Sequence, residues 1–355
     1  MTRFAPKNRV PLAVDEPRLS TTGGYGGRDG FEVSVDFVNA GKESVTIAGI
    51  GRSGPGLKLL NAERRGPYVL LPCGGAPFSR VSCMVIDYAS PGIFTTLDAD
   101  QLPLIAGLPT DPVEICRVVR GIVIHPFEAA TLSLSKERMA EKDLRPASAI
   151  VRALTRLDAT PLEVQRPAHL RVVGTCRHFA TLSCALLRVR GIPARARCGF
   201  ATYFAPGQGI DHWVTEYWHA GERRWVRIDS QTLGGDQVAR PEDLAPGQFL
   251  TGGEAWTLYR RGEIDPDTFG VAGTTHAWGV AEIRGNAIRD LAALWKKETL
   301  PWDEWGRMTA SYEGKTGSDY DLLIDEVAAT CAAGSVEAVD RLYRSADLRV
   351  PDDVH

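Results

Sequence analysis

Between Phe31 and Phe37 the chain alternates: Phe31, Val33, Val35 and Phe37 are apolar, while Glu32, Ser34 and Asp36 are polar. A period of two predicts a half-buried strand. Asn39-Ala40-Gly41 supplies a turn, and 45–50 reads as a second strand. Segments 68–71 and 79–87 read the same way, separated by the Pro and Gly turn chemistry of 72–77. Together these predict a small all-β, sandwich-like domain over 25–90. Ahead of it, the Pro- and Gly-rich residues 1–24 predict a flexible leader.

After Pro91 the period changes. Asp111-Pro112-Val113-Glu114 is a helix start, with a capping Asp, Pro at the first helical position and Glu in the first turn. Val113, Cys116, Val119 and Val123 continue that helix toward Pro126. Further helices are expected at 135–142 and 146–157. Another opens at Thr175-Cys176, where Phe179, Leu182, Leu186 and Val189 form one apolar face and Gly191 marks the stop. Three strand-like segments follow, at 195–204, 212–218 and 225–229. Beyond 235 the pattern is mixed, with an amphipathic helix expected over 286–297. The fold class expected is α+β: a core over 91–235, then a mixed or helical extension over 236–355 packed on it. There is no internal repeat.

Composition narrows the function classes. Of 355 residues, 44% are hydrophobic and 24% charged, which is ordinary for a globular chain. A net charge of -3 carries no basic excess for nucleic acid. No apolar run approaches a membrane span, and Met1 to Asn8 has no signal-peptide core, so a cytoplasmic location is expected. The seven cysteines are odd in number, irregularly spaced and free of any C-x-x-C pair. They predict reduced thiols, no structural zinc and no cofactor.

The chemistry concentrates at Gly174-Thr175-Cys176. A cysteine at a helix N-terminus feels unpaired N–H groups, which favour the thiolate and can also hold an oxyanion. On this reasoning its pKa should fall below that of a free thiol. His212, in Asp211-His212-Trp213, opens one strand, and Asp229, in Trp225-Val226-Arg227-Ile228-Asp229, ends the next. Adjacent antiparallel strands can bring the two together, giving nucleophile, base and orienting carboxylate.

The combination resembles the transglutaminase-like superfamily. Carrying the resemblance are Gly174-x-Cys176 before an apolar helix, Arg190-Gly191-Ile192-Pro193-Ala194-Arg195 after it, Gly199-Phe200, Asp211-His212-Trp213 and Trp225-Val226-x-x-Asp229. It covers roughly 110–235. A looser likeness runs through Phe249 to Trp256 and Arg284-Gly285-Asn286 to Trp302. The resemblance implies a papain-like core, with a Cys-bearing helix on an antiparallel sheet that bears His and Asp, and acyl transfer through a thioester. Members of the superfamily make or break amides, and some have lost catalysis. Cys176, His212 and Asp229 are therefore the expected catalytic residues. The expected partners are a peptide or small-molecule acyl donor and water or an amine as acceptor. The alternative is an inactive scaffold.

Neighbouring residues divide into candidates and bystanders. Glu216 shares the strand face of His212 and, with Trp213 and Arg177, is a candidate substrate contact. His178 points about 200° from Cys176 around the helix and reads as structural or surface. Cys184 and Cys198 read as core, and His125 carries no motif. Trp302 and Trp305 are candidates for an aromatic surface near the site. Gly49-Ile50-Gly51-Arg52-Ser53-Gly54 is followed by Pro55-Gly56, so no helix opens there to receive a pyrophosphate.

Overall fold

The structure is a computed structural model. It describes the backbone of 19–25, 31–37, 46–53 and 56–63, and all of 86–352 and 354. The chain divides into two units, Met1–Ser82 and Cys83–His355. In the first, β1 (Leu19–Tyr25) pairs antiparallel with β2 (Phe31–Phe37), and β3 (Thr46–Ser53) with β4 (Gly56–Glu63). The alternating segment is thus a strand, and part of the expected leader is its hairpin partner. The segment expected to be a strand at 68–71 lies outside the described residues, as does nearly all of 79–87, and with them the expected sandwich.

The second unit is α+β. It begins with α1 (Pro112–Ile122), where the Asp111 carboxylate accepts from the N–H groups of Val113 and Glu114 at 2.9 and 3.0 Å. The helix stops short of Pro126 because β-branched Val123 and Ile124 leave it to form β5 (Val123–Ile124), paired in parallel with β6 (Val172–Val173). Between these strands lie α2 (Pro126–Ala129), α3 (Lys136–Met139) and α4 (Ala147–Leu157). Next comes α5 (Cys176–Val189), closed by Gly191 at φ 72°. The sheet then follows, as β7 (Ala194–Ala201), β8 (Gly209–His219), β9 (Arg224–Ile228) and β10 (Phe249–Thr251), with α6 (Gly252–Arg260) and β11 (Phe269–Gly270) after them. Its order is β10-β7-β8-β11, with β9 also on β8. The chain ends in α7 (Val280–Leu294), α8 (Met308–Tyr312), α9 (Ser318–Ala333) and α10 (Val336–Tyr343). No described helix is long and apolar enough to cross a membrane.

One core lies between α5 and the sheet. Phe179, Leu182 and Leu186 of the helix pack with Ala194, Ala196, Trp213, Val226 and Ile228 of the strands. A second core is built by the C-terminal helices around Trp256, Ile283, Leu291, Tyr320 and Val327. α5 has no exposed polar face: Arg177, His178, Thr181, Ser183 and Arg188 are all buried. Arg177 donates to the Glu298 carbonyl and Arg188 to the Thr95 hydroxyl. The apolar spacing marked one face of this helix, whereas the fold buries both. The aromatic surface expected from Trp302 and Trp305 does not form, since Trp305 is buried and donates to the Leu348 carbonyl at 3.1 Å.

The joint between sheet and extension is tight at Gly252. A Cβ there would stand 2.2 Å from the Ala287 nitrogen and the Asn286 carbonyl carbon, both backbone atoms of α7. Alanine normally gains about 0.5–1 kcal/mol over glycine in a helix. Here backbone must move instead, so Gly252→Ala should lose about 1–3 kcal/mol or more. A melting temperature at or above wild type would show that α6 and α7 are not in this contact.

Candidate active site

The strand pair β5–β6 delivers the chain to Gly174, whose N–H donates to the Ile124 carbonyl at 3.0 Å. Thr175 is the extended N-cap and Cys176 the first residue of α5. His178 accepts at Nδ1 from the Thr175 N–H at 3.1 Å and is fully buried, so it holds this turn rather than meeting solvent. The helix start thus stands on both sides of the nucleophile candidate, and Cys176 itself is 6% exposed.

On the sheet, β8 and β9 run antiparallel with Thr215 opposite Ile228. That register carries Asp229, one residue past β9, to His212: His212 Nε2 lies 3.0 Å from Asp229 Oδ2. The imidazole also interacts electrostatically with Cys176. With Nε2 engaged by Asp229, Nδ1 is the nitrogen left for the thiol. All three expected residues are therefore in one place. Asp229 is further held by the Tyr203 hydroxyl, which donates to Oδ2 at 2.6 Å, and by the Gln231 N–H, which donates to Oδ1 at 2.9 Å. Phe204 and Tyr203 stand edge-on to the His212 ring, at 5.0 and 6.3 Å between centroids.

The electrostatics follow from this burial. Burial alone would favour a neutral imidazole, but the Asp229 carboxylate and the interaction with Cys176 outweigh it and push His212 up to about 10. Burial likewise opposes ionised Asp229, yet His212 and its hydrogen-bond donors hold the carboxyl below its ordinary value. For Cys176, burial pushes the thiol up against the pull of His212 and the Trp213 backbone N–H, with Asp211 adding to the rise. This corrects the expectation from the helix N-terminus. Burial is the largest cause of the rise, and the interactions with His212 are the largest that oppose it.

The three expected substrate contacts are elsewhere. Arg177 is fully buried, its guanidinium held by the carbonyls of Glu298 and Arg145 and stacked over Phe94. Trp213 is 1% exposed and packs in the core under α5, because alternation turns it away from the His212 face. Glu216 does share that face, about 13 Å along the strand at about 3.3 Å per residue. It is 3% exposed, and three arginines occupy its carboxylate: Arg195 at 2.7 Å, Arg227 at 2.8 Å and Arg197 at 3.0 Å. Burial opposes the carboxylate there, but the arginines hold its pKa far below the ordinary range. Arg197 continues to Asp290 of α7, and Arg227 to Glu254 of α6. This cluster pins the sheet to the extension and lines a cavity of about 630 Å³ with Trp225 and Thr257.

Other residues of the site escaped the sequence reading. Tyr203 and Phe204 follow β7, where an aromatic pair reads as ordinary strand. Asn286 donates to Asp211 at 2.8 Å and to the Gly199 carbonyl at 3.2 Å, tying α7 to the strands beside the thiol. Its partner lies 75 residues away in sequence, so no local signal could reveal it.

With this geometry in hand, comparison defines the class. Residues 138–230 match the family model of the transglutaminase-like superfamily, and the chain carries a transglutaminase-like domain. Among solved structures it matches that of a candidate cysteine protease from Cytophaga hutchinsonii at 19% identity. That match covers 42% of this chain and 48% of the other, with a TM-score of 0.15. No curated protein matches.

Two measurements check the site. The other described cysteines, Cys116, Cys184, Cys198 and Cys331, are at most 4% exposed, and burial pushes Cys116 up to about 11 and Cys184 up to about 12. Iodoacetamide should therefore alkylate Cys176 ahead of these four, as read by mass spectrometry of the peptides. His212→Ala removes the counter-charge, so the pH midpoint of labelling should move upward. An unchanged midpoint would mean that the two groups are not coupled. Separately, Glu216→Gln removes the carboxylate charge shared by three arginines, leaves Arg195 without its ion-pair partner and should cost about 3–5 kcal/mol of stability. A melting temperature close to wild type would remove Glu216 from the framework.

Proposed function

We propose that the protein catalyses acyl transfer through a thioester at Cys176, making or breaking an amide bond. The observation that carries this reading is the buried His212–Asp229 pair, whose imidazole interacts electrostatically with a thiol at the first residue of a helix. His212 takes the thiol proton, and Asp229 stabilises the imidazolium and fixes the ring. Sγ bonds to the acyl carbon while the carbonyl electron pair moves to oxygen, where helix N–H groups can receive it. Collapse expels the amine, which takes the proton from His212 and leaves the thioester. Water or a second amine then gives its proton to His212 as it attacks, and the thiolate departs to restore the pair. Water as acceptor makes the protein an amidase or peptidase, and an amine makes it an amide synthase or acyltransferase.

The test uses an activated acyl donor, p-nitrophenyl acetate, with nitrophenol release and intact protein mass as readouts. Wild type should gain one acetyl group on Cys176 and turn over. Cys176→Ala should do neither while melting near the wild-type temperature. Asp229→Asn should be slowed by roughly a thousandfold or more, because an amide holds the ring in the wrong tautomer and leaves the imidazolium without a counter-charge. His212→Ala should be slower still. Full turnover in Cys176→Ala would sink the reading.

A further inference from the structure

An acyl-transfer site needs more than a nucleophile and its base. As the carbonyl carbon is attacked, charge develops on its oxygen, and donors fixed beforehand around that position contribute much of the rate. The start of α5 supplies backbone N–H groups on one side. The β5–β6 pairing sets the turn after β5 beside Gly174, on the approach to Cys176. Ile124 lies opposite Val173, and the Gly174 N–H bonds the Ile124 carbonyl at 3.0 Å. The next residue on the β5 side is His125, level with Gly174 and two positions ahead of Cys176.

His125 has the properties of a donor. It is the N-cap of α2, where its Nδ1 accepts from the Phe127 N–H at 3.4 Å. A nitrogen used as an acceptor leaves the ring proton on Nε2. No protein acceptor meets Nε2 among the described residues, and the ring is half-buried rather than sealed. It feels the charges of both His212 and Asp229, so it sits within their field. Burial, with His212 and Arg120 adding to it and Asp229 opposing, pulls it down to about 4. The ring is therefore neutral at pH 7, able to donate one hydrogen bond without competing as a base. A neutral imidazole that polarises a carbonyl is an established catalytic device.

We propose that His125 is the oxyanion donor facing the α5 N-terminus, contributing its Nε2–H to the carbonyl oxygen of the acyl donor. The assignment rests on the acyl-transfer reading of Cys176. It makes His125 a catalytic residue in place of a mere cap.

Alkylation and acylation of one thiol separate these ideas. Iodoacetamide reacts by displacement at carbon and develops no oxyanion, whereas p-nitrophenyl acetate does. Both rates at Cys176 are measured in full-length wild type, His125→Phe and His125→Gln, with melting curves to check folding. Phenylalanine fills the ring space without a donor, and glutamine restores an N–H of similar reach. His125→Phe should lose about 10²–10³-fold in acylation, the usual effect of one oxyanion donor, with alkylation within about twofold of wild type. His125→Gln should recover at least tenfold of that acylation. Acylation by His125→Phe at the wild-type rate overturns the proposal. So does a proportional loss of alkylation, which would mean that the ring only supports the Cys176–His212 pair, and so does a failure of His125→Gln to recover. Wild type that is alkylated but never acylated overturns the acyl-transfer reading itself, and this donor with it.

Discussion

A carboxylate with no exposure to solvent sets the terms for the rest of the molecule. Asp229 is fully buried, and a buried charge persists only when it is paired and hydrogen-bonded. Its oxygens are met by His212, Tyr203 and the Gln231 N–H, and its own N–H by the Pro241 carbonyl. Each of these partners has to be delivered by a different part of the chain. The β8–β9 register fixes His212, the turn after β7 fixes Tyr203, and the chain beyond β9 folds back to bring Pro241. The imidazole is then held upright by one carboxylate oxygen and walled by rings. Its remaining nitrogen is the one left free for Cys176, with which the ring interacts electrostatically.

The extension solves a related problem at the other end of the sheet. Arg195, Arg197 and Arg227 occupy strand positions that would suit a solvated surface, yet α6, α7 and α9 cover them. Burying those charges is tolerable because Glu216, Asp290 and Glu254 neutralise them in one continuous cluster. Since breaking such a cluster leaves uncompensated charge, strands β7 to β9 and the C-terminal helices become one cooperative unit. Asn286 belongs to the same helix as Asp290 and ties the neighbouring end of the strands. α7 is thus the element through which the extension bears on the site.

What could be read from the sequence divides along physical lines. Features set by local rules were legible: the Asp111 cap, the α5 start at Cys176, its glycine stop, the β8 and β9 strands and the residue types a nucleophile requires. Features set by distant burial were not. Arg177 and Glu216 looked available to substrate because charged side chains usually face water. Arg177 is interior because Phe94, Arg145 and Glu298, all distant in sequence, close around it, and Glu216 because strand arginines tied to α6 and α7 surround it. His125 was passed over for a similar reason. The role proposed for it rests on a two-residue parallel pairing of β5 with β6, which is too short to leave a pattern.

The same reasoning explains why the thiol does not behave as a helix-terminus argument alone would have it. A helix N-terminus contributes on the order of 0.3–1 kcal/mol at an exposed site, and up to about 2 when partly buried. Removing a thiolate from water costs more than that unless a counter-charge is supplied. The site supplies one, His212, and supports it with Asp229 deeper inside. On the acyl-transfer proposal, reactivity belongs to the pair rather than to the cysteine alone. Under the proposed function, such an arrangement keeps the Cys176 thiol quiet where no partner charge is held in place. It also places the burden of transition-state stabilisation on fixed donors around the thiol, because little solvent is present to share it.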